Sequence, residues 1–285
     1  MSFSSSDNDK QPEQHTTFTV SGTDVFALGH YPDNPVYPGV LTADALCAAA
    51  AALASRILGT AAVPARIEKV HYLHAIVPGD VVAVSAKLVA ISGNEVQLEA
   101  VAAVAAIPAA RALVVCRGGL LPVAPLSRQL PSGCDGLRRI EHRSLLSVLP
   151  HRYPFLMLDV VDGYVPGKRI VAHKIATSSG LWPSNTARHT YPLAFVIESL
   201  AQAAVALFLL SGVQGQFHDI LMGSLSEVCL LADVPLGSML IIEVRMGRQI
   251  GSLSSFDGEV RVGARTIVTV GCVYIDIRER TMQNA

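Results

Sequence analysis

The chain has 285 residues, enough for two domains of ordinary size. Its 22 basic and 23 acidic residues give a net charge of −1, which leaves no basic field to hold nucleic acid or an anionic membrane. The five cysteines include no Cys-x-x-Cys pair, and no histidine pair has metal-ligand spacing. We therefore expect a cytoplasmic protein with reduced thiols and no metal, whose partners are neither nucleic acid nor membrane.

The first half of the chain is predicted to begin with a tail and to continue as one domain. Residues 1–15 are polar, without the basic start or apolar core of a signal peptide, so we expect them to be disordered. Residues 16–124 read as a strand, a proline-rich loop, the apolar helix LTADALCAAAAALASRIL and then a run of strands. The expected domain thus has one long helix followed by several strands.

The second half repeats this order. Residues 125–138 have the proline, glycine and charge content of a linker, and residues 139–285 form the second predicted domain. It contains the predicted hairpin FLMLDVVDGYVPGKRIVAHKIA, a loop, the helix AFVIESLAQAAVALFLL and further strands. The second helix resembles a membrane span, but Glu198 and Gln202 would be costly in lipid, so we expect it inside a protein core.

The fold class expected from this pattern is α+β with an internal duplication. Each half supplies many strands and a single helix that is apolar on all sides. Such a helix must be covered all round, which a sheet curved around it and the other half of the chain can provide.

Three segments carry a resemblance to a known family. GHYPDNPVYPGVLTADAL in the first half, and VLPHRYPFLMLD and VIESLAQAA in the second, are similar to the signatures of the (3R)-hydroxyacyl-ACP dehydratases of bacterial fatty-acid synthesis. That family has the hotdog fold. The resemblance covers nearly the whole chain beyond the tail. It implies a double hotdog, in which two antiparallel sheets each wrap around a long central helix and form an intramolecular pseudo-dimer.

The resemblance also implies where the active site lies. In the family the site is formed between two subunits, with a histidine from one and a carboxylate from the other, and these positions are 14 residues apart in one subunit. His30 and Asp44 keep this spacing, whereas the position 14 residues before Glu198 is Ser184. If the halves pair as subunits do, His30 faces Glu198 in a catalytic site and Ser184 faces Asp44 in a vestigial one.

Further positions are assigned supporting roles by the same resemblance. The carbonyl of Val36 would hold His30, and Gln202 follows Glu198 by one helical turn as the family's helper glutamine often does. The family's turn into the helix of the acid supplies backbone donors for an oxyanion. This interpretation puts Leu193 beside Glu198 and leaves Gly39 in the pocket without a histidine. His151 and Arg152 are expected to be structural and to shape the entrance of the site.

The resemblance implies a dehydratase that needs no cofactor. It would convert (3R)-3-hydroxyacyl thioesters on acyl carrier protein to trans-2-enoyl thioesters in fatty-acid or polyketide synthesis. His30 would be the base, and Glu198, with its pKa raised by apolar neighbours, would be the acid. Two alternatives stay open: a hotdog thioesterase, and a non-catalytic scaffold that binds acyl groups or acyl carrier protein beside another dehydratase. The sheet edges would also allow a further homo-oligomer.

Overall fold

The computed structural model describes residues 12–129, 138–177, 190–212 and 218–279. Four helices lie in these ranges: α1 (Val25–His30), α2 (Gly39–Leu58), α3 (His142–Val148) and α4 (Leu193–Leu210). The strands are β1 (Glu13–Thr19), β2 (Ala62–Tyr72), β3 (Val81–Ser92), β4 (Glu95–Val104), β5 (Ile107–Gly118), β6 (Val160–Val165), β7 (Arg169–Ile175), β8 (Thr190–Tyr191), β9 (His218–Leu230), β10 (Val234–Pro235), β11 (Met239–Ile250), β12 (Leu253–Val262) and β13 (Arg265–Glu279).

Eleven of these strands form one continuous antiparallel sheet. Its order is β1-β3-β4-β5-β2-β9-β13-β12-β11-β7-β6, so the strand order of the second half mirrors that of the first about the central β2–β9 pair. The pairing runs from Arg66 opposite Cys229 to His71 opposite Ser224. The expected two sheets are therefore joined edge to edge, because β2 and β9 satisfy each other's free backbone groups. The remaining strands, β8 and β10, pair with each other.

Each half of the sheet curves around one apolar helix. Helix α2 packs against β2, β3, β4 and β5, and α4 packs against β7, β11, β12 and β13. The two helices also contact each other. Both are long and apolar enough to cross a membrane by composition alone, yet most of each lies inside the protein. Side chains such as Leu46 and Leu53 on α2 and Leu200 and Leu207 on α4 are fully buried. The prediction of buried core helices is confirmed.

The ends of the predicted domains differ slightly from the sequence boundaries. Strand β1 begins at Glu13, so residues 13–15 belong to the sheet and not to the predicted tail. Pairing with β3 and an ion pair of 3.1 Å between Glu13 and Lys87 account for this. Residues 1–11 of the tail and residues 130–137 of the linker lie outside the described residues. The linker is held on either side by the bridges Val123–Asp233 and Ile140–Val161.

Candidate active site

His30 is the last residue of α1, and its imidazole is fixed by the following loop. The Asp24 carboxylate caps α1 by accepting hydrogen bonds from two backbone amides of the first turn. The Nδ1–H of His30 donates to the Val36 carbonyl at 3.0 Å, which leaves Nε2 with the free lone pair. Burial lowers the pKa of His30 to about 4, and the hydrogen bond to Val36 partly opposes this shift. The geometry gives a neutral imidazole with a fixed tautomer.

Glu198 lies on α4 and belongs to the second half of the chain. Only 4% of the surface of Glu198 is exposed. Burial raises the pKa of Glu198 to about 7, although a hydrogen bond from Gln202 lowers it somewhat. That bond runs from Nε2 of Gln202 to Oε1 of Glu198 and measures 2.8 Å. A carboxyl group in this setting holds its proton close to neutral pH and can donate it.

A short segment, residues 149–157, connects the surroundings of these two residues, and we name it the brace segment. The Arg152 amide donates to the Gly29 carbonyl at 2.7 Å, next to His30. Gln202 donates to the Phe155 carbonyl at 2.7 Å and accepts from the Met157 amide at 2.7 Å. The brace segment thus contacts the elements that carry His30 and Glu198 at the same time, which fixes one relative to the other.

Glycine at position 29 is required by this close approach. A Cβ there would lie 2.9 Å from the carbonyl oxygen of Arg152, 3.0 Å from Cδ of Pro154 and 3.1 Å from the amide of Phe155. Two of these three atoms belong to the backbone and cannot move aside alone. The residue before His30 is therefore small because the brace segment occupies the space of a side chain.

The two halves enclose one cavity around His30 and Glu198. Its volume is about 340 Å³. The first half contributes His30, Gly39 and Tyr72, the second half contributes His151 and Glu198, and most of the remaining wall is apolar. The structure brings together the two predicted catalytic residues and two of the four predicted supporting residues, Val36 and Gln202. An apolar cavity with a few convergent polar groups is typical of a small-molecule site.

The expected position of the backbone donors is wrong. Gly39 lines the same cavity as His30 and Glu198, whereas Leu193 is not among the lining residues. Gly39 begins α2 after Pro38, and the Leu41 and Thr42 amides donate to the Pro38 carbonyl. Within the described residues the Gly39 amide has no hydrogen-bond partner. The N-terminus of α2, with its Pro38-Gly39 turn, therefore lies at the cavity that contains His30.

A third polar residue, His151, also reaches the centre of the cavity. Its Nε2 lies 3.7 Å from Oε1 of Glu198, and its ring centroid lies 5.3 Å from that of His30. Burial lowers the pKa of His151 well below its usual range, and His30 and Arg152 contribute in the same direction. The expectation of a residue at the entrance is therefore wrong. The motif LPHRYPF was the available signal, but nothing in it reveals which side chain points inward.

The three residues His30, His151 and Glu198 also have the chemistry of a metal-binding set. One ligand atom from each lies within 4.8 Å of the others. Tetrahedral zinc with bonds near 2.0–2.1 Å would need these atoms about 3.4 Å apart. The three side chains would therefore have to move closer together to bind it. The absence of a metal stays a prediction.

The predicted vestigial site is described only on the side of Asp44. Asp44 is an exposed residue of α2, and desolvation of its carboxyl group by the surrounding protein raises its pKa to about 6. Ser184 lies outside the described residues. The pairing of Asp44 with Ser184 therefore stays a prediction.

Comparison with known proteins identifies the family of the chain. The family described as ApeI-like, ApeI dehydratase, matches residues 5–106. A 3-hydroxyacyl-[acyl-carrier-protein] dehydratase FabZ of Enterococcus faecalis is 36% identical over 126 residues, which are 42% of this chain and 86% of the relative. A FabZ of Rhizorhabdus wittichii is 32% identical over 130 residues, 44% of this chain and 81% of the relative. The chain belongs to the FabZ family of 3-hydroxyacyl-[acyl-carrier-protein] dehydratases.

Solved structures share the architecture of both halves together. The dehydratase domain from the CurJ module of curacin polyketide synthase has a TM-score of 0.64 at 13% identity and covers 94% of this chain and 91% of its own. The dehydratase domain of PpsC from Mycobacterium tuberculosis has a TM-score of 0.63 at 12% identity, with 93% and 94% covered. These similarities confirm the double hotdog fold.

Proposed function

We propose that this chain removes water from (3R)-3-hydroxyacyl thioesters carried on acyl carrier protein and releases trans-2-enoyl thioesters. One observation carries the proposal: a neutral imidazole and a buried carboxyl group that keeps its proton near neutral pH line the same cavity. Removal of water across two neighbouring carbons needs one base and one acid held close together. The names of the FabZ relatives support the same substrate class.

The base in this proposal is His30. Its Nδ1–H is engaged by Val36, so Nε2 takes the proton from the carbon next to the thioester carbonyl. Negative charge then develops on the carbonyl oxygen. In this proposal the Gly39 amide, which lies at the positive end of α2 and has no hydrogen-bond partner among the described residues, donates a hydrogen bond to that oxygen.

The acid is Glu198. Gln202 donates to Oε1, so the proton of the neutral carboxyl group resides on Oε2. Transfer of this proton to the 3-hydroxyl oxygen breaks the carbon–oxygen bond, and its leaving group is water. The electron pair of the broken carbon–hydrogen bond becomes the new double bond. The proton on His30 then returns to Glu198, which restores both groups without net oxidation or reduction.

The setting of the reaction is part of the proposal. The apolar wall of the cavity suits an acyl chain and keeps bulk water away from the reacting carbons. The carrier in this proposal is acyl carrier protein, as the names of the FabZ relatives suggest. The described cysteines Cys47, Cys116, Cys229 and Cys272 are free thiols, which is in keeping with a cytoplasmic location.

Incubation of the chain with a (3R)-hydroxyacyl carrier protein, followed by mass spectrometry of the acylated carrier, tests the function. Loss of one water from the intact thioester is the expected result. Release of the free hydroxy acid without enoyl product would instead identify a thioesterase. Tight binding of the acyl carrier without any turnover would identify a scaffold.

A further inference from the structure

His151 is a buried residue whose imidazole makes no hydrogen bond to the described residues. Only 2% of the surface of His151 is exposed, and the residue lines the cavity. Nδ1 is sealed from solvent without a hydrogen-bond partner among the described residues. Nε2 lies 3.7 Å from Oε1 of Glu198, which is beyond hydrogen-bond distance. An imidazole left in this state lacks an interaction that a bound molecule can supply.

The surroundings of His151 define which nitrogen carries its proton. A sealed N–H without an acceptor is rarer in proteins than a sealed acceptor without a donor. The proton therefore belongs on Nε2, the nitrogen that lies towards Glu198. The lowered pKa of His151 keeps the ring neutral, so it presents one donor at this position.

The ring of His151 is also held firmly in place. The guanidinium of Arg152 donates to the carbonyls of Leu149, Pro150 and His151 itself. The rings of His30, Tyr31 and Phe155 pack around the imidazole with centroid distances of 5.3, 5.6 and 6.5 Å. Because the brace segment fixes the backbone and three rings enclose the side chain, the donor is oriented before any ligand binds.

We infer that His151 is a third catalytic residue, whose Nε2–H donates a hydrogen bond to the 3-hydroxyl oxygen of the substrate. The inference rests on the proposed function, since the hydroxyl oxygen must lie beside the acid Glu198. The hydrogen bond strengthens as the carbon–oxygen bond breaks and the oxygen gains negative charge. The enoyl product has no oxygen on this carbon, so it binds without this hydrogen bond and is held less tightly.

Two unreactive probes separate this role from a structural one. The pantetheine amides of (3R)-3-hydroxybutyrate and of butyrate differ only in the hydroxyl group, and the amide makes elimination slow. Their dissociation constants are measured by calorimetry for the parent, His151→Phe, His151→Gln and Tyr191→Phe. Tyr191 is a buried residue that contacts Met157 of the brace segment and does not line the cavity, which makes Tyr191→Phe a matched control.

The parent is expected to bind the hydroxylated probe about tenfold more tightly, as one hydrogen bond allows. His151→Phe should lower this preference and leave only the share that the Glu198 carboxyl group supplies, His151→Gln should restore part of the loss because Gln keeps an N–H donor of similar length, and Tyr191→Phe should retain the full preference. An unchanged preference in His151→Phe, or equal weakening of both probes, overturns the inference. If His151→Phe does not fold, His151→Leu gives the same comparison.

The two proposals fail in different ways. Absence of water loss in the parent would refute the proposed function, whereas the ratio of the two dissociation constants is measured without turnover. A parent that dehydrates its substrate while His151→Phe keeps the full preference for the hydroxylated probe would refute only the role of His151.

Discussion

The Arg152 amide donates a 2.7 Å hydrogen bond to the Gly29 carbonyl, and this bond joins the two halves of the chain one residue before His30. The same brace segment is bound to Gln202 on the helix that carries Glu198. His30 and Glu198, the proposed base and acid from separate halves, are thereby positioned by one short run of backbone. Such positioning reduces the ordering needed when the reaction takes place.

Replacement of Gly29 by Ala tests the brace segment. The new Cβ would lie 2.9 Å from the Arg152 carbonyl oxygen and must displace it. We expect a loss of about 1–3 kcal/mol in the free energy of unfolding, together with a lower kcat. Urea denaturation and the water-loss assay measure these effects. Gly22→Ala is the matched control, since a Cβ at Gly22 meets no atom within 4 Å. Equal stability of both variants would contradict the role of the brace segment.

The pH dependence of kcat/KM should report the two proposed catalytic groups, His30 and Glu198. Glu198 must be protonated, so activity is expected to fall as the pH rises above about 7, the pKa to which burial raises this carboxyl group. His30 must be neutral, so the acid limb should lie near its pKa of about 4. Initial rates from pH 4 to 9 measure both limbs. An activity that rises steadily above pH 7 would be incompatible with Glu198 as the acid.

Gln202→Leu should alter both the acid and the stability of the chain. The hydrogen bond from Gln202 lowers the pKa of Glu198, so its loss moves the alkaline limb to higher pH. The variant also leaves the Met157 amide and the Phe155 carbonyl without this partner, which should cost about 2–4 kcal/mol of unfolding free energy. Gln249→Leu, at an exposed position, is the control. A limb that stays in place or moves to lower pH would contradict this account.

Acid should destabilise the protein through His30. Its pKa is lowered from 6.5 to about 4 in the folded state, so between these values the unfolded chain binds the extra proton and stability falls as the pH falls. The raised pKa of Glu198 has the opposite effect. Between pH 4.5 and about 7 the folded chain binds the extra proton at this carboxyl group, so its contribution to stability rises as the pH falls. The unfolding free energies of the parent and of His30→Gln at pH 7 and pH 5 isolate the histidine. The parent should lose more stability than the variant; an equal loss would exclude this contribution.

The sequence predicts the architecture well because its signals are local. Two helices that are apolar all round, each with strands after it, can be recognised from composition and periodicity. The junction of the two halves through β2 and β9 could not be predicted in the same way. It depends on which free strand edges meet, and the residues that pair there, such as Val70 and Leu225, are far apart in sequence.

The candidate site was predicted in part through the resemblance to a known family. The pairing of His30 with Glu198 is what that resemblance implies for two halves that pair as subunits do. The position of Gly39 in the cavity could not be predicted in this way, because it depends on how α2 and α4 pack. Leu193 is close to Glu198 in sequence, and this proximity suggested the wrong helix N-terminus. The inward direction of His151 likewise results from hydrogen bonds made by the brace segment with distant residues.

The most direct test of the central claim is water loss from a (3R)-hydroxyacyl carrier protein, measured by mass spectrometry for the parent and for single variants. His30→Ala and Glu198→Gln should each lower the rate by about 10²- to 10⁴-fold, since each removes one proton-transfer group. Asp44→Asn should retain the parent rate, because this carboxyl group lies outside the lining of the cavity. Dehydration that persists in His30→Ala, or that depends on Asp44 as strongly as on Glu198, would contradict a single site shared by the two halves.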